Sequence, residues 1–573
     1  MKIQHVIVHN FRNIDGINVW LNLVSNYIVG ENNLGKSNFL EMLSIVCNGK
    51  SFSEDDYADL EKPIEVELQI KLEQGEIGFF GDNFDQTDES LIHLKYYQMI
   101  SESYPSIICT DTMDNIPIKQ IRKIDFFTYE SILQPSKELQ FTSKKGLGLV
   151  MQGMIAQYTK SVSPSFFNDT DIDNLRTFIN SQLEKVRGLK KYGIKAAVSN
   201  DKADMVTNLF YLSDGERKIE NAGAGVQYTA MASIAVLAHI MTLYSAKTVK
   251  FEDRLYTIEG NLKILPMVLS IDEPEVHLHP YLQRSLIRFY KRILANEDQD
   301  FLSLLKNCFG IDGLSGQLLI VTHSTDALVD DYQNIIRFYK EENVTKIISG
   351  ADPTFNIPVA DKKQLIMRFP EIKEAFFAHV VILIEGETEY GCIPSFAEKM
   401  GIFLDDYSIC VVNAQGEGKI KPLASLFNHF GIKTILIYDG DVQNGATPSD
   451  TEFYSTEPCF EFEVMRSLCD TSNYQLARAI AIEVYPRAMT EILDADYIKK
   501  PYTKKLNLDI NSYIPKSLGT ISDADPDFYN LFSCWLYAKK GVLTGRIIGE
   551  MLTEALIPDC YRDAIQKAKE IAG

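Results

Sequence analysis

The feature that most constrains this chain is the run Gly30-Glu31-Asn32-Asn33-Leu34-Gly35-Lys36-Ser37. It follows an apolar, strand-like stretch at 26–29 and opens a helical pattern at Lys36. The order G-x-x-x-x-G-K-S has a mechanical reason. A backbone that winds around phosphate needs glycine where a Cβ would stop its N–H groups from turning inward, and the helix that follows presents its positive end to the anion. Lys36 then reaches the outer phosphates of a nucleotide and the Ser37 hydroxyl ligates Mg²⁺. Gly30, Asn33, Gly35, Lys36 and Ser37 are therefore the expected binding residues, with ATP and Mg²⁺ as the ligands.

Two distant segments complete such a site. Residues 265–271 form a near-continuous apolar run that ends in Asp272-Glu273, the pattern of a buried parallel strand with two acids at its tip. Asp272 would hold Mg²⁺ through water and Glu273 would orient the attacking water. A second buried run, 317–321, ends in Thr322-His323-Ser324. His323 there is placed to sense the terminal phosphate.

A chain of 573 residues predicts more than one core. Its net charge of −21 argues against coating nucleic acid by bulk positive charge, while leaving room for a local basic groove. Nine cysteines without a CxxC pair indicate neither a zinc ribbon nor a disulfide framework, and fit a reducing compartment. The start has no apolar core of a signal peptide. Residues 221–246 lack Asp, Glu, Lys and Arg, but contain glycines, Gln227, hydroxyls and His239 and are rich in alanine. They read as a buried helix rather than a membrane span. The expectation is a cytoplasmic protein with no membrane partner.

The texture divides the chain. Residues 1–345 begin with strands at 2–9, 19–29 and 64–72, and carry a helical insertion at about 147–205. That insertion is basic at Lys185, Arg187, Lys190, Lys191 and Lys195. A connector is expected at 346–375, then a second domain at 376–573 with the rhythm of a parallel α/β sheet. There the run 379–384 ends in Glu385-Gly386-Glu387-Thr388-Glu389, and 434–438 ends in Asp439-Gly440-Asp441. In extended backbone, residues two apart face the same way, so Asp439 and Asp441 could meet on one ion. Acids gathered at the carboxyl edge of a parallel sheet make a hard-oxygen site for Mg²⁺ or Mn²⁺, and two such metals can clamp a phosphodiester.

Asn10-Phe11-Arg12-Asn13, GENNLGKS, LSIDEPEVHLHP and IVTHST together resemble the ABC-type ATPases of the chromosome-maintenance and recombination-repair kind. The resemblance implies Arg12 as a nucleotide contact and a dimer of heads, in which a glycine motif of one head caps ATP on the other. Leu212-Ser213-Asp214-Gly215-Glu216 matches the usual wording without its double glycine. Gly223-Ala224-Gly225-Val226-Gln227 stands at the start of the uncharged helix and is preferred, with Gly223, Gly225 and Gln227 as contacts; LSDGE is read as a hairpin turn.

The order Glu385, Glu389, Asp439, Asp441 after such a head resembles a TOPRIM domain. The whole chain resembles the overcoming-lysogenization-defect (OLD) family of ATP-linked nucleases, whose relatives include the phage-defence nuclease of the Gabija system. That resemblance implies a further acid, Glu463 with Glu461 as the alternative, and a late lysine, Lys540 with Lys539 as the alternative. It also implies an ATP-regulated, metal-dependent DNA endonuclease in antiviral defence, possessing ATPase activity and assembled as a homodimer or larger homo-oligomer. An accessory defence protein or a nucleic-acid trigger would be its partner. The competing reading is a non-nucleolytic DNA clamp with a structural TOPRIM domain. DNA would be met by Lys185–Lys195, by Lys499, Lys500, Lys504 and Lys505, and by Lys539 and Lys540.

Overall fold

The computed structural model describes the chain except residues 131–137, 142–144, 162–168, 199–209, 214–217, 247–248, 259, 343 and 443–448. It divides into two units, 1–355 and 356–573, each with its own sheet and core.

Unit one contains an antiparallel sheet in the order Ile17–Trp20, Lys2–His9, Ile64–Lys71, Leu91–Gln98, Ser106–Cys109. Ile64, Val66, Leu68 and Ile70 are buried and the residues between them half-exposed, the period-two signature of a sheet covered on one face. The other large sheet is mainly parallel. Ser25–Gly30 lies between Gly313–Val321 and Ile335–Glu341, and Leu262–Asp272 pairs with Gly313–Val321 on one side and Phe126–Glu130 on the other. Tyr256–Ile258 and Val344–Ser349 add antiparallel edges. Ser25–Gly30 is buried along its whole length. Parallel strands end together, so Gly30, Asp272 and Val321 reach the same sheet edge.

Two expectations change here. The stretch 19–29 is two strands in two sheets, because a polar turn separates them. The Asn22 side chain accepts from the Val24 N–H at 2.9 Å, and Asn26 donates to the Asn22 carbonyl at 2.8 Å. The insertion is helical through Gly146–Ser161, Asp169–Leu183 and Arg187–Lys191, but then forms a ribbon in which Lys195–Val198 pairs with Phe210–Ser213. Asn180 pins that ribbon through both backbone groups of Ala196, at 2.7 and 3.1 Å.

The uncharged segment is the helix Ala224–Ser245, long and apolar enough to cross a membrane; 61% of its most apolar stretch is buried inside the protein. It packs on Gly146–Ser161 and Pro280–Leu294, and Tyr290 donates to its Ala232 carbonyl at 2.7 Å.

The segment expected as a connector divides between the units. Val344–Ser349 completes the sheet of unit one, and the helix Val359–Ile372 belongs to unit two. Unit two is built on a parallel sheet in the order Ile409–Asn413, Val380–Ile384, Lys433–Tyr438, Glu452–Tyr454. The first strand in sequence sits between the second and third, so the loops after Val380–Ile384 and Lys433–Tyr438 part to opposite sides. A crevice at the carboxyl ends follows from that order. Val380–Ile384 is wholly buried, and helices carrying Trp535, Phe532 and Tyr561 fill the core around it.

Candidate active sites

In unit one the loop after Ser25–Gly30 has the geometry of a phosphate cradle. Gly30 (φ +135°) runs so close to the neighbouring strand that a Cβ would lie 2.2 Å from the Phe338 carbonyl oxygen, and Gly35 (φ +93°) opens the helix Lys36–Cys47. Asn33 also takes a positive φ, and its carbonyl accepts from Asn13 at 3.3 Å. Lys36 is buried and donates to the carbonyls of Gly30 at 2.9 Å and Glu31 at 2.5 Å, curling over its own loop. Burial pulls the Lys36 ammonium down, while Glu273 and Asp272 pull it up; the net shift is downward.

The Ser37 hydroxyl donates to Asp272 Oδ2 at 3.0 Å, which brings together the two groups expected on Mg²⁺. Burial raises the Asp272 carboxyl, and the bond from Ser37 opposes the rise. Glu273 has a positive φ, and its carboxylate lies 3.9 Å from His323 Nε2. Burial, then the nearby Lys36 charge, lowers the His323 imidazole, favouring its neutral form. Sequence reasoning missed Glu275, which receives the Thr322 hydroxyl at 2.8 Å and the His323 N–H at 2.6 Å and so fixes the histidine-bearing turn. Its presence in the run Asp272-Glu273-Pro274-Glu275 was the available signal.

Arg12 and Gln227 have partners within the protein. The Arg12 guanidinium binds Asp56 Oδ1 at 2.7 and 3.0 Å, Asn38 at 2.9 Å and Glu41 at 2.5 Å, and so braces the helix after the loop. Gly223 is the cap of Ala224–Ser245 and Gly225 lies in its first turn, so the helix begins inside the GAGVQ segment. Gln227 turns back to the carbonyls of Ala222 at 2.8 Å and Glu220 at 3.1 Å, occupying the amide expected to meet nucleotide. Of LSDGE, residues 214–216 lie outside the described residues; Ser213 bridges antiparallel to Lys218 on either side of them.

In unit two a cavity of about 420 Å³ opens at the crevice of the parallel sheet, lined among others by Glu385, Glu389, Asp439, Glu461, Lys505 and Lys540. Glu385 follows Val380–Ile384 and accepts the Asp439 N–H at 3.0 Å, tying the two strand ends together. Glu389 comes from the first turn of Glu387–Lys399 and Glu461 from that of Phe460–Asp470. Burial pushes the Glu389 carboxyl well above the ordinary carboxylate range, and the Glu461 and Glu385 charges push the same way. Asp439 is raised by burial, then by Glu389 and Glu385, and Glu385 is raised by burial as well. Asp439 Oδ1 is buried and has no hydrogen-bond partner among the described residues. A buried acceptor of that kind, among carboxylates that repel each other, fits a divalent cation. Cys459 also lines the cavity, but burial and Glu461 hold its thiol protonated, so the donors remain hard oxygens.

Three expectations are corrected by this geometry. Glu463 lies outside the cavity: Thr456 donates to both its oxygens at 3.0 Å and the Glu457 N–H donates at 2.6 Å, while Glu461 faces Glu389 and accepts from Thr388 at 2.7 Å. Side chains two apart on a helix point about 200° apart, so only one of the pair can enter. Asp441 does not continue an extended strand; it sits in the helical turn Gly440–Val442, outside the cavity lining, and holds Lys505 Nζ at 2.5 Å. Lys505, expected only as part of a DNA-binding cluster, enters the cavity and lies 4.0 Å from Asp439. Lys540 is in the cavity, over the Tyr537 ring at 4.3 Å, whereas Lys539 packs on Tyr485 and Trp535 and pairs with Glu491.

The family model described as AAA ATPase domain matches residues 1–213 and 151–327. The chain belongs to the AAA ATPase domain family. Beside this AAA ATPase head, residues 376–441 match the model for the overcoming lysogenization defect protein-like TOPRIM domain. Over 426 residues, 68% of this chain, the sequence is 24% identical to a Bacillus cereus (strain HuB5-5) protein named Endonuclease GajA, of whose length it spans 57%. Over 494 residues, 80% of each chain, it is 20% identical to the Old nuclease of Escherichia phage P2. The C-terminal region of the Burkholderia pseudomallei OLD protein covers 34% of this chain at 13% identity, with a TM-score of 0.23, too low to bear on the fold.

Proposed function

We propose that this protein is a metal-dependent DNA endonuclease regulated by ATP in the AAA ATPase head, acting in the cytoplasm in antiviral defence. The observation that carries the reading is the convergence of Glu385, Glu389, Asp439 and Glu461 on one cavity, with Asp439 Oδ1 buried and unbonded among the described residues. A structural domain gains nothing from mutually repelling buried acids, which cost stability unless a cation joins them. The names of the two relatives, an endonuclease and a nuclease, point to the same chemistry.

Glu385, Glu389, Asp439 and Glu461 would hold Mg²⁺ or Mn²⁺, with Asp441 joining them when Lys505 moves. Bound there, the metal would supply activation of water and Lewis-acid polarisation of the phosphoryl group. Lys540 lies in the same cavity and would meet the negative charge that builds on the phosphate as water adds to phosphorus and the ester oxygen leaves. Exposed Lys499, Lys500 and Lys504 on the helix Ala495–Lys504 would take the backbone on either side. In the head, Lys36 and Ser37 would leave Glu31 and Asp272 to bind ATP·Mg²⁺. Glu273 would orient the attacking water, with His323 beside it. A second copy would complete the site through Gly223 and Gly225, making the protein a homodimer of heads or a larger assembly. An accessory defence protein or a nucleic-acid trigger would set the enzyme in motion.

The test incubates the protein with plasmid and linear DNA and Mg²⁺ or Mn²⁺ across an ATP series, beside Glu385→Ala and Lys36→Ala. Cleavage lost in Glu385→Ala and altered in its ATP response by Lys36→Ala supports the reading. Cleavage unchanged in Glu385→Ala overturns the assignment of cutting to this cavity, and cleavage absent from every protein while ATP hydrolysis persists favours a DNA clamp.

A further inference from the structure

Lys505 is the cavity residue that the nuclease chemistry does not require. It stands just past the helix Ala495–Lys504, on which Lys499, Lys500 and Lys504 are exposed. Its own side chain turns the other way and is 17% exposed. The ammonium donates to Asp441 Oδ2 at 2.5 Å and to the Pro458 carbonyl at 3.0 Å, and lies 4.0 Å from Asp439 Oδ2. It therefore bridges the two acids of the D-x-D pair, the position a divalent cation would need. The bridge draws Asp441 towards the ammonium, while Asp441 itself stays 45% exposed, so the pair can open to solvent without unfolding anything.

Resting on the carboxylate-site reading, we propose that Lys505 is a built-in counter-cation that holds Asp441 out of the metal site until a DNA backbone phosphate takes the ammonium over. Its place in the chain makes the exchange local. The exposed lysines that would meet the backbone are one to six residues before it. A phosphate drawn to them arrives within a side chain's reach of Lys505. Moving the ammonium from carboxylate to phosphate conserves its charge and releases Asp441 to join Asp439 on the metal. Metal would then load tightly only when substrate is present, which guards the cell's own ions and DNA from an enzyme charged in advance. Lys505 acts through Asp441 and is a positioning residue.

The experiment measures Mn²⁺ affinity of the nucleotide-free full-length protein by electron paramagnetic resonance, counting only binding lost in Asp439→Asn. Lys505→Met and Lys505→Gln are expected to bind Mn²⁺ about fivefold more tightly than wild type without DNA, the weight of one ion pair with an exposed partner. Lys505→Arg, which keeps the charge, stays near wild type. A short phosphorothioate duplex, which resists cleavage and keeps the backbone charge, raises the affinity of the wild-type protein and leaves that of Lys505→Met unchanged. Equal Mn²⁺ affinity in the Lys505 and Lys505→Met backgrounds, with Asp439-dependent binding intact, overturns the inference alone. So does a duplex that tightens binding equally in both. Absence of any Asp439-dependent binding in all of them overturns the carboxylate site and the inference together.

Discussion

The two sites of this protein manage their charges in opposite ways. In the AAA ATPase head Lys36 and Ser37, both meant for nucleotide, already have protein partners in the loop carbonyls and Asp272, and Glu275 fixes the neighbouring turn through Thr322. Opposite charges and donors with acceptors are paired, so the loop keeps its shape while empty, and nucleotide exchanges one set of bonds for another. In the TOPRIM cavity the carboxylates of Glu385, Glu389, Asp439 and Glu461 crowd together, and burial with mutual repulsion pushes Glu389 and Asp439 towards the protonated form. Among the described residues, Lys505 and Lys540 alone bring positive charge to the lining. The first site is preorganised by its own bonds. The second is held open by the sheet and waits for cations.

The sharpest way to break this contrast is to remove one charge from each site. Asp439→Asn is expected to lower DNA cleavage by about a thousandfold or more, because the metal site loses the ligand whose buried oxygen has no hydrogen-bond partner among the described residues. ATP hydrolysis should stay within about twofold, since the cradle is built from residues of unit one alone. Lys36→Ala should do the reverse for ATP hydrolysis, lowering it by about a hundredfold or more. Hydrolysis and cleavage assays on the same preparations check both; equal loss of both activities in either variant would break the separation. Next in size is the choice between neighbouring acids. Glu461→Gln is expected to reduce cleavage by about a hundredfold and Glu463→Gln by no more than about threefold, because only the former faces Glu389. The opposite order would show that helix Phe460–Asp470 turns in the working state.

These cases also mark what the sequence discloses. The head could be read because eight consecutive residues carry the whole cradle and two apolar runs announce the strand tips that bear Asp272-Glu273 and His323. Strand ends gave Glu385 and Asp439 for the same reason. Glu461 and Glu463 share the first turn of one helix, and nothing local says which face meets the sheet. Lys505 lies 64 residues from Asp441, and the contact exists only because a later helix folds back over the crevice. The stretch 19–29 misled for the converse reason: apolar content ran on through a turn made by two asparagines. Arg12 matched a motif, yet Asp56 and Glu41, invisible as partners in the sequence, direct its guanidinium.

The crowded acids also predict a pH dependence whose sign separates the sites. A carboxyl raised in the folded state binds more protons there than in the unfolded chain, so stability falls as pH rises above the ordinary carboxylate range near pH ~4. For Glu389 and Asp439 this means that the metal-free protein melts at a lower temperature as pH climbs through their raised range. Millimolar Mg²⁺ should remove the trend, worth about several degrees, by neutralising the anions. Thermal melts in chelator and in Mg²⁺ across pH 5–9 (~) measure it, and Asp439→Asn should flatten the chelator curve. A metal-free curve that rises with pH throughout would mean the acids are already compensated inside the protein.

The smallest expected effect concerns the basic clusters, and it rests on the same distinction between paired and unpaired charge. In the head, Lys185 donates to Ser303 at 2.9 Å, Lys190 pairs with Asp300 at 2.9 Å and Lys195 with Glu184 at 3.2 Å. A lysine already paired gives up that partner when it binds phosphate, so its net gain is small. Lys499, Lys500 and Lys504 are exposed on one helix beside the cavity in unit two. Each phosphate they neutralise releases a counterion, which steepens the dependence of affinity on salt by about 0.9 per contact. Replacing these three by glutamine is therefore expected to weaken DNA binding by about fivefold at moderate salt and to flatten the log–log salt slope by about 2.7. The same change at Lys185, Lys190 and Lys195 should move the slope by less than about one half. Fluorescence anisotropy of a labelled duplex over a salt series reads both slopes. A larger change in the head set would transfer the DNA path from the unpaired cluster to the paired one, because release of those ion pairs would then have to be part of binding.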